Sequence, residues 1–265
     1  MPLRLRAGVA SEVGGYREVN QDAAFTAPWG AAVADGVGGG PAGDLAAAAL
    51  IHRLVAGGPT VDDADALARR IREANWDLGA HVRRDPALAG MATTFTGLWL
   101  TAADGLLLAH TGDSRAYLLR EGHFIRQTRD DSFVQALVDQ GVVRPEDAMM
   151  HPRRNIITAS LRGDAGDVVR VSDRVPVVGD RWLLCSDGVS DYLPDDVIAA
   201  IVRGSADAAE TALLVADAAL EAGSRDNVTA IVCDIVEADA PASLAPVFSG
   251  AAAARFQEGL EELAG

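Results

Sequence analysis

Four strand-like runs follow one another at 92–101, 106–111, 116–120 and 123–128, with no room for a helix between them. The turns that part them, Asp104-Gly105, Gly112-Asp113-Ser114 and Glu121-Gly122, are compatible with tight hairpins. Such a meander does not belong in a doubly wound sheet, where each strand must be followed by a crossover helix. The remaining strand text agrees. Runs at 23–27 and 30–34, parted by Pro28, read as a hairpin, and 168–171 and 182–185 return to strand. The run 227–236 is apolar on both faces, which suits a strand at the centre of a sheet.

Helices are expected at five places. An alanine-rich stretch opens at Pro41, a residue suited to a first helical turn, and runs to about Val55. From 62 to 82 the apolar positions Ala64, Leu67, Ile71, Ala74, Leu78 and Val82 follow the 3.6-residue period. Segments 132–140, 195–202 and 206–222 complete the set. Many strands with few βα alternations predict a layered α+β domain. After Ala238 the text turns Ala/Pro/Ser-rich and then weakly helical over 251–263. The expected division is one domain over 1–238, then a linker or tail over 239–265, with a short helix, outside the core.

The balance of 23 basic against 38 acidic residues, a formal charge of −15, excludes a broad phosphate-backbone binder such as a nucleic-acid protein. The apolar stretches 46–51 and 97–100 fall far short of a membrane span, and the opening Met-Pro-Leu-Arg-Leu-Arg lacks the apolar core of a secretory signal. The expected location is cytoplasmic. Cys185 and Cys233 sit in apolar runs without a CxxC or Cys/His neighbour, and read as small buried hydrophobes of a reducing compartment.

The informative acids are aspartates at strand ends. Asp22 precedes a strand, Asp35 ends one before Gly36, and Asp113 follows one in Gly-Asp-Ser-Arg. Asp187 ends the run 182–186 and is again followed by glycine, while Asp226 precedes the last strand. Hard cations such as Mg²⁺ and Mn²⁺ take oxygen ligands and keep several waters, so they need few carboxylates gathered at one sheet edge. Asp104-Gly105 is the control: an Asp-Gly after a strand that reads as a plain turn. A rival pattern, Gly38-x-Gly40-x-x-Gly43, matches a dinucleotide fingerprint. Its context excludes it, because a second helix follows the first and Asp62 and Asp63 do not end a second parallel strand.

Seven segments in order resemble the metal-dependent protein phosphatase family, often called type 2C, in its bacterial form. They are Arg-Glu-Val-Asn-Gln-Asp (17–22), Ala-Asp-Gly-Val-Gly-Gly (34–39), Met-Ala-Thr-Thr-Phe (91–95), Thr-Gly-Asp-Ser-Arg-Ala-Tyr (111–117), His-Pro-Arg-Arg-Asn (151–155), Cys-Ser-Asp-Gly (185–188) and Asp-Asn-Val-Thr (226–229). The resemblance covers about residues 5–237. It implies a central antiparallel β-sandwich flanked by helices on both sides, four layers in α/β/β/α order.

It also implies a protein serine/threonine phosphatase that holds two Mn²⁺ or Mg²⁺ ions tightly, with a third, weaker one in many bacterial members. By that resemblance Asp35 bridges two cations, Gly36 offers its carbonyl to one, and Asp187 and Asp226 complete the ligand set. Asp22 supports a cation through water, and Asp113 belongs to the third. Arg17 grips the substrate phosphate, and a metal-bridging hydroxide attacks phosphorus without a covalent phospho-enzyme. Segment 141–155 takes the place of the family's flap, where Met149 and Met150 meet substrate and Asn155 reaches toward the third cation. Gln21 stands where some members have glutamate, and Val37 where animal members have a histidine proposed as general acid. Neither change removes a direct ligand, and retention of Asp35, Asp187 and Asp226 argues against a non-catalytic relative. Phosphorylated proteins, substrates of serine/threonine kinases, are the expected partners, with no nucleic acid, no membrane segment and a monomeric state.

Overall fold

The computed structural model describes residues 2–37, 42–204, 207–238 and 245–255. The chain begins with β1 (Leu3–Glu12), β2 (Asp22–Ala27), β3 (Gly30–Val37), α1 (Gly43–Ala56) and α2 (Ala64–Arg84). Next come β4 (Ala92–Thr93), β5 (Phe95–Leu100), β6 (Leu106–Thr111), β7 (Arg115–Arg120), β8 (His123–Arg126) and α3 (Phe133–Asp139). It ends with β9 (Arg170–Arg174), β10 (Arg181–Cys185), α4 (Asp187–Ser190), α5 (Asp195–Gly204), α6 (Ala208–Glu221), β11 (Val228–Glu237) and β12 (Val247–Gly250).

Two antiparallel sheets result, one ordered β1-β11-β10-β7-β8 and the other β12-β2-β3-β5-β6-β9, with β4 paired to β3. Strand alternation explains why they stack. Leu98, Leu100, Leu106 and Leu108 face Trp182, Leu184, Ile231 and Cys233 in a core between the sheets. The alternate residues Phe95, Trp99, Leu107 and Ala109 turn the other way, onto Leu50, Ile51, Leu54, Leu67 and Ile71 of α1 and α2. On the other side Leu183, Cys185, Ala230 and Val232 pack on Ile198, Val202, Val215 and Ala219 of α5 and α6. Strands that are apolar on both faces thus require helices outside and a partner sheet inside. The expected four-layer α/β/β/α sandwich is the observed one.

Three expectations are corrected. The meander breaks at Gly112-Asp113-Ser114, which is no hairpin but a crossover between sheets: β6 pairs with β5 and β9, whereas β7 pairs with β10 and β8. Two strands, β1 and β12, escaped the sequence reading. β1 has arginines at Arg4 and Arg6 among small residues, a weak strand signal, yet it pairs with β11 along its whole length. Nor does the domain end at 238, since β12 pairs with β2 and Ala251 and Ala252 are buried against the α1 side of the sheet. Of the expected tail, 239–244 and 256–265 lie outside the described residues, as do Gly38, Gly40 and Pro41.

Candidate metal centre at the junction of the two sheets

The crossover at Gly112-Asp113-Ser114 sets Asp113 where one sheet hands over to the other. Strand ends from both sheets meet at this edge. Asp22 and Asp35 stand opposite each other in the β2–β3 ladder. Asp187 begins α4 directly after β10, and Asp226 lies two residues before β11. Asp104 sits at the far end of β6, in a turn closed by Asp104 N donating to Thr101 O, and its carboxylate accepts from Leu3 N at 3.0 Å.

Close backbone approaches bring these ends together. A Cβ on Gly188 would lie 1.9 Å from the Asn227 carbonyl oxygen, so only glycine lets the Asp187 turn press on the strand that follows Asp226. A Cβ on Gly36 would lie 2.3 Å from the Gly43 carbonyl, which seats the start of α1 against the end of β3. Side chains pin the rest. Ser186 Oγ donates to Asp22 Oδ2 at 2.7 Å, and Asn227 Oδ1 accepts from Gln21 N at 2.8 Å. Thr94 Oγ1 accepts from Asp35 N, while Thr93 Oγ1 donates to Asp35 O. Thr94 and Ser114 share a further hydroxyl contact at 2.7 Å, tying β3 to the crossover. Thr94, Ser114, Ser186 and Thr229, all in the motifs read from sequence, therefore hold backbone in place.

The electrostatics are those of crowded acids. Burial first, then Asp22, Asp113 and Asp226, holds the Asp35 carboxyl well above the ordinary range. Asp187 is raised by burial and then by Asp35, Asp113, Asp191 and Asp226. Burial lifts Asp113 to about 7, helped by Asp130 and Asp191. Asp22 rises to about 6 through burial, against the hydrogen bonds of Ser186 and Thr229.

These residues fit hard divalent cations. Asp187 Oδ1 is buried without a hydrogen-bond partner, an orphan that a cation or its water would satisfy. Among the described residues no group of three or more His, Cys, Asp or Glu side chains is placed to hold a metal ion by itself. The oxygen donors gathered at this edge suit Mg²⁺ or Mn²⁺, which use one or two carboxylates apiece and retain waters.

Other expected residues are placed as follows. Arg17 Nη2 donates to Asp226 Oδ2 at 2.8 Å, and Asn227 N donates to Asp226 Oδ1 at 2.8 Å. A cleft of about 620 Å³ opens beside Asp113 and is lined by Met149 and Met150 from the flap. Asn155 is exposed and is not among the cleft-lining residues. Asp191 was missed by the sequence reading. It lies four residues after Asp187, at the end of the single turn of α4, and forms an ion pair with Arg154 Nε of the flap at 2.9 Å. Also missed was the Arg115–Asp130 ion pair that lines the cleft, at 2.7 Å. The two cysteines are free and buried, and burial pushes the Cys185 thiol up to about 12, in keeping with small buried hydrophobes.

Two antiparallel sheets face to face, helices outside and carboxylates at one shared edge define the protein phosphatase 2C-like class of fold. No family model matches the chain. The serine/threonine protein phosphatase PstP of Mycobacterium tuberculosis is 38% identical over 252 residues, 94% of this chain and 48% of PstP. The serine/threonine phosphatase stp of Listeria monocytogenes is 33% identical over 211 residues, 76% of this chain and 82% of that protein. The crystal structure of the PstP catalytic domain in complex with two manganese ions superposes with a TM-score of 0.81 at 37% identity, covering 89% of this chain and all of that one. The chain belongs to the family of bacterial PPM (2C-type) serine/threonine phosphatases. It spans about half the length of PstP.

Proposed function

We propose that the chain is a metal-dependent protein serine/threonine phosphatase that hydrolyses phosphoserine and phosphothreonine in proteins. The observation that carries this reading is the convergence of Asp22, Asp35, Asp113 and Asp187, four acids all held above their ordinary range at one edge. A self-repelling cluster of this kind is stable only with protons or cations among its members. Asp35, Asp187 and Asp226 would hold two divalent cations, with the Gly36 carbonyl as a further oxygen. Asp22 would act through water, and Asp113 would hold a third, weaker ion. Bound there, Mn²⁺ or Mg²⁺ supplies a water of near-neutral pKa and neutralises phosphoryl charge.

The chain's own residues do the rest. The Arg17 guanidinium, 38% exposed and tied to Asp226, presents a planar fork to the substrate phosphate. Ser186 and the Thr93–Thr94 pair fix Asp22 and Asp35 so that little reorganisation accompanies reaction. Met149 and Met150 offer adaptable apolar surface to residues flanking the phosphoamino acid. Asn155 belongs to the flap's outer face in this reading. Phosphoproteins made by serine/threonine kinases are the partners, and a cytoplasmic monomer is the working state. No helix among the described residues is long and apolar enough to cross a membrane. Hydrolysis of p-nitrophenyl phosphate and of a phosphothreonine peptide with and without Mn²⁺ tests the proposal: turnover that persists in chelator refutes it.

A further inference from the structure

The segment 245–255, expected to be a tail, touches the two backbones that carry the site. A Cβ on Gly250 would lie 2.2 Å from the Asp22 carbonyl oxygen and 2.8 Å from Ser11 Oγ, so the end of β12 is in direct contact with the start of β2. Ser11 belongs to the web around Asp22: it accepts from Asn20 Nδ2 at 3.0 Å and shares a 2.8 Å contact with the Thr229 hydroxyl, which bonds Asp22 in turn. Past Gly250 the chain crosses to α1. Ala251 and Ala252 are buried there, Ala252 O contacts His52 Nε2 at 2.8 Å, and the Phe248 ring lies 4.5 Å from the His52 ring. Arg255 then pairs with Asp44 in the first turn of α1. Asp44 follows Gly43, the residue pressed against Gly36.

We propose that residues 245–255 form a positioning strap for the candidate metal centre. By gripping β2 at Asp22 and α1 at Asp44, the strap holds the Asp22 carboxylate and the Gly36 carbonyl at a fixed separation. Gly250, Phe248 and Arg255 are positioning residues, since none touches substrate or reacting atoms. The inference rests on the reading of the site as a divalent-metal centre. Its chemical consequence is cation affinity, because groups that orient a metal's ligands set affinity as well as the ligands do.

The test is a calorimetric Mn²⁺ titration of the full chain and its variants. Gly250→Val, which cannot keep β12 against Asp22, is expected to weaken Mn²⁺ binding by about tenfold. Arg255→Ala is expected to weaken it by about threefold, with Arg255→Lys restoring most of the loss. Val202→Ala, a cavity in the far helical layer, serves as the stability control. It should lower the melting temperature yet keep Mn²⁺ affinity within about twofold. If Gly250→Val does not fold, Arg255→Ala decides. Strap variants that fold and bind Mn²⁺ as the wild type does overturn the strap. A wild type that binds no Mn²⁺ overturns the metal-centre reading and the strap with it.

Discussion

Asp22 and Asp35 occupy directly opposed positions in the β2–β3 ladder, so their side chains leave the sheet on the same face. Like charges opposite one another destabilise a sheet, and here burial removes the water that would screen them. Both lie within a centre already crowded by Asp113 and Asp187. Such an arrangement favours protons or a cation between the two carboxylates.

Replacing Asp35 by asparagine should therefore separate stability from function. In chelator, Asp35→Asn is expected to be more stable than wild type by about 1–3 kcal/mol, because a poorly satisfied buried carboxyl has gone. In Mn²⁺ it should lose the wild type's ligand-induced rise in melting temperature and its turnover. Differential scanning calorimetry with and without Mn²⁺ reads both effects. A metal-free variant less stable than wild type would contradict the crowding argument.

The metal-free protein should also lose stability as pH rises. Asp22 and Asp113 have folded-state values of about 6 and about 7, above the unfolded carboxyl value, so the folded state binds more protons than the unfolded state between roughly pH 4 and 7. Their contribution is fully present below about pH 4 and fades as pH passes through 6 and 7. Denaturant melts across that window in chelator should show the decline, and saturating Mn²⁺ should remove it. A flat metal-free profile would count against it.

His110 predicts the opposite slope. It is buried, within 2.9 Å of Thr96 Oγ1 and 3.0 Å of Arg129 O, and burial lowers its pKa despite nearby acids. The unfolded chain takes up a proton near pH 6.5 that the folded chain resists, so this stability is present above 6.5 and lost as pH falls. Subtracting the profile of His110→Gln from that of the wild type should isolate the loss. Parallel profiles from pH 5 to 8 would exclude it.

Arg17 is the side chain most directly testable on substrate. Arg17→Ala should lower kcat/KM for p-nitrophenyl phosphate by about 10–100-fold, the scale of a lost charge-assisted fork. Arg17→Lys should recover only part, because a point charge cannot make two parallel bonds to phosphate. Full activity in Arg17→Ala would place the phosphate elsewhere.

Much of this was legible in the chain. Helices α1, α2, α3, α5 and α6 were all expected, α2 from its apolar period, and Asp63, Ser132 and Asp207 cap α2, α3 and α6. The acids at strand ends were readable because Asp-Gly after an apolar run is local chemistry. What failed was long-range. Gly112-Asp113-Ser114 carries hairpin residues, yet β6 finds β9 as its partner and leaves β7 to β10. No local signal encodes that exchange. β1 and β12 escaped because their small and charged residues, such as Arg4, Gly8 and Ser249, gain strand structure only from the neighbours they pair with. Asp191 escaped because α4 is a single turn, too short to show a period.

The most direct measurement is release of phosphate from a phosphothreonine peptide by the purified chain as Mn²⁺ is titrated from a chelated start. The structure predicts turnover that rises from zero and saturates with Mn²⁺, and that disappears in Asp35→Asn and Asp187→Asn. Turnover in chelator equal to that in Mn²⁺, or undiminished turnover in those two variants, would contradict the account.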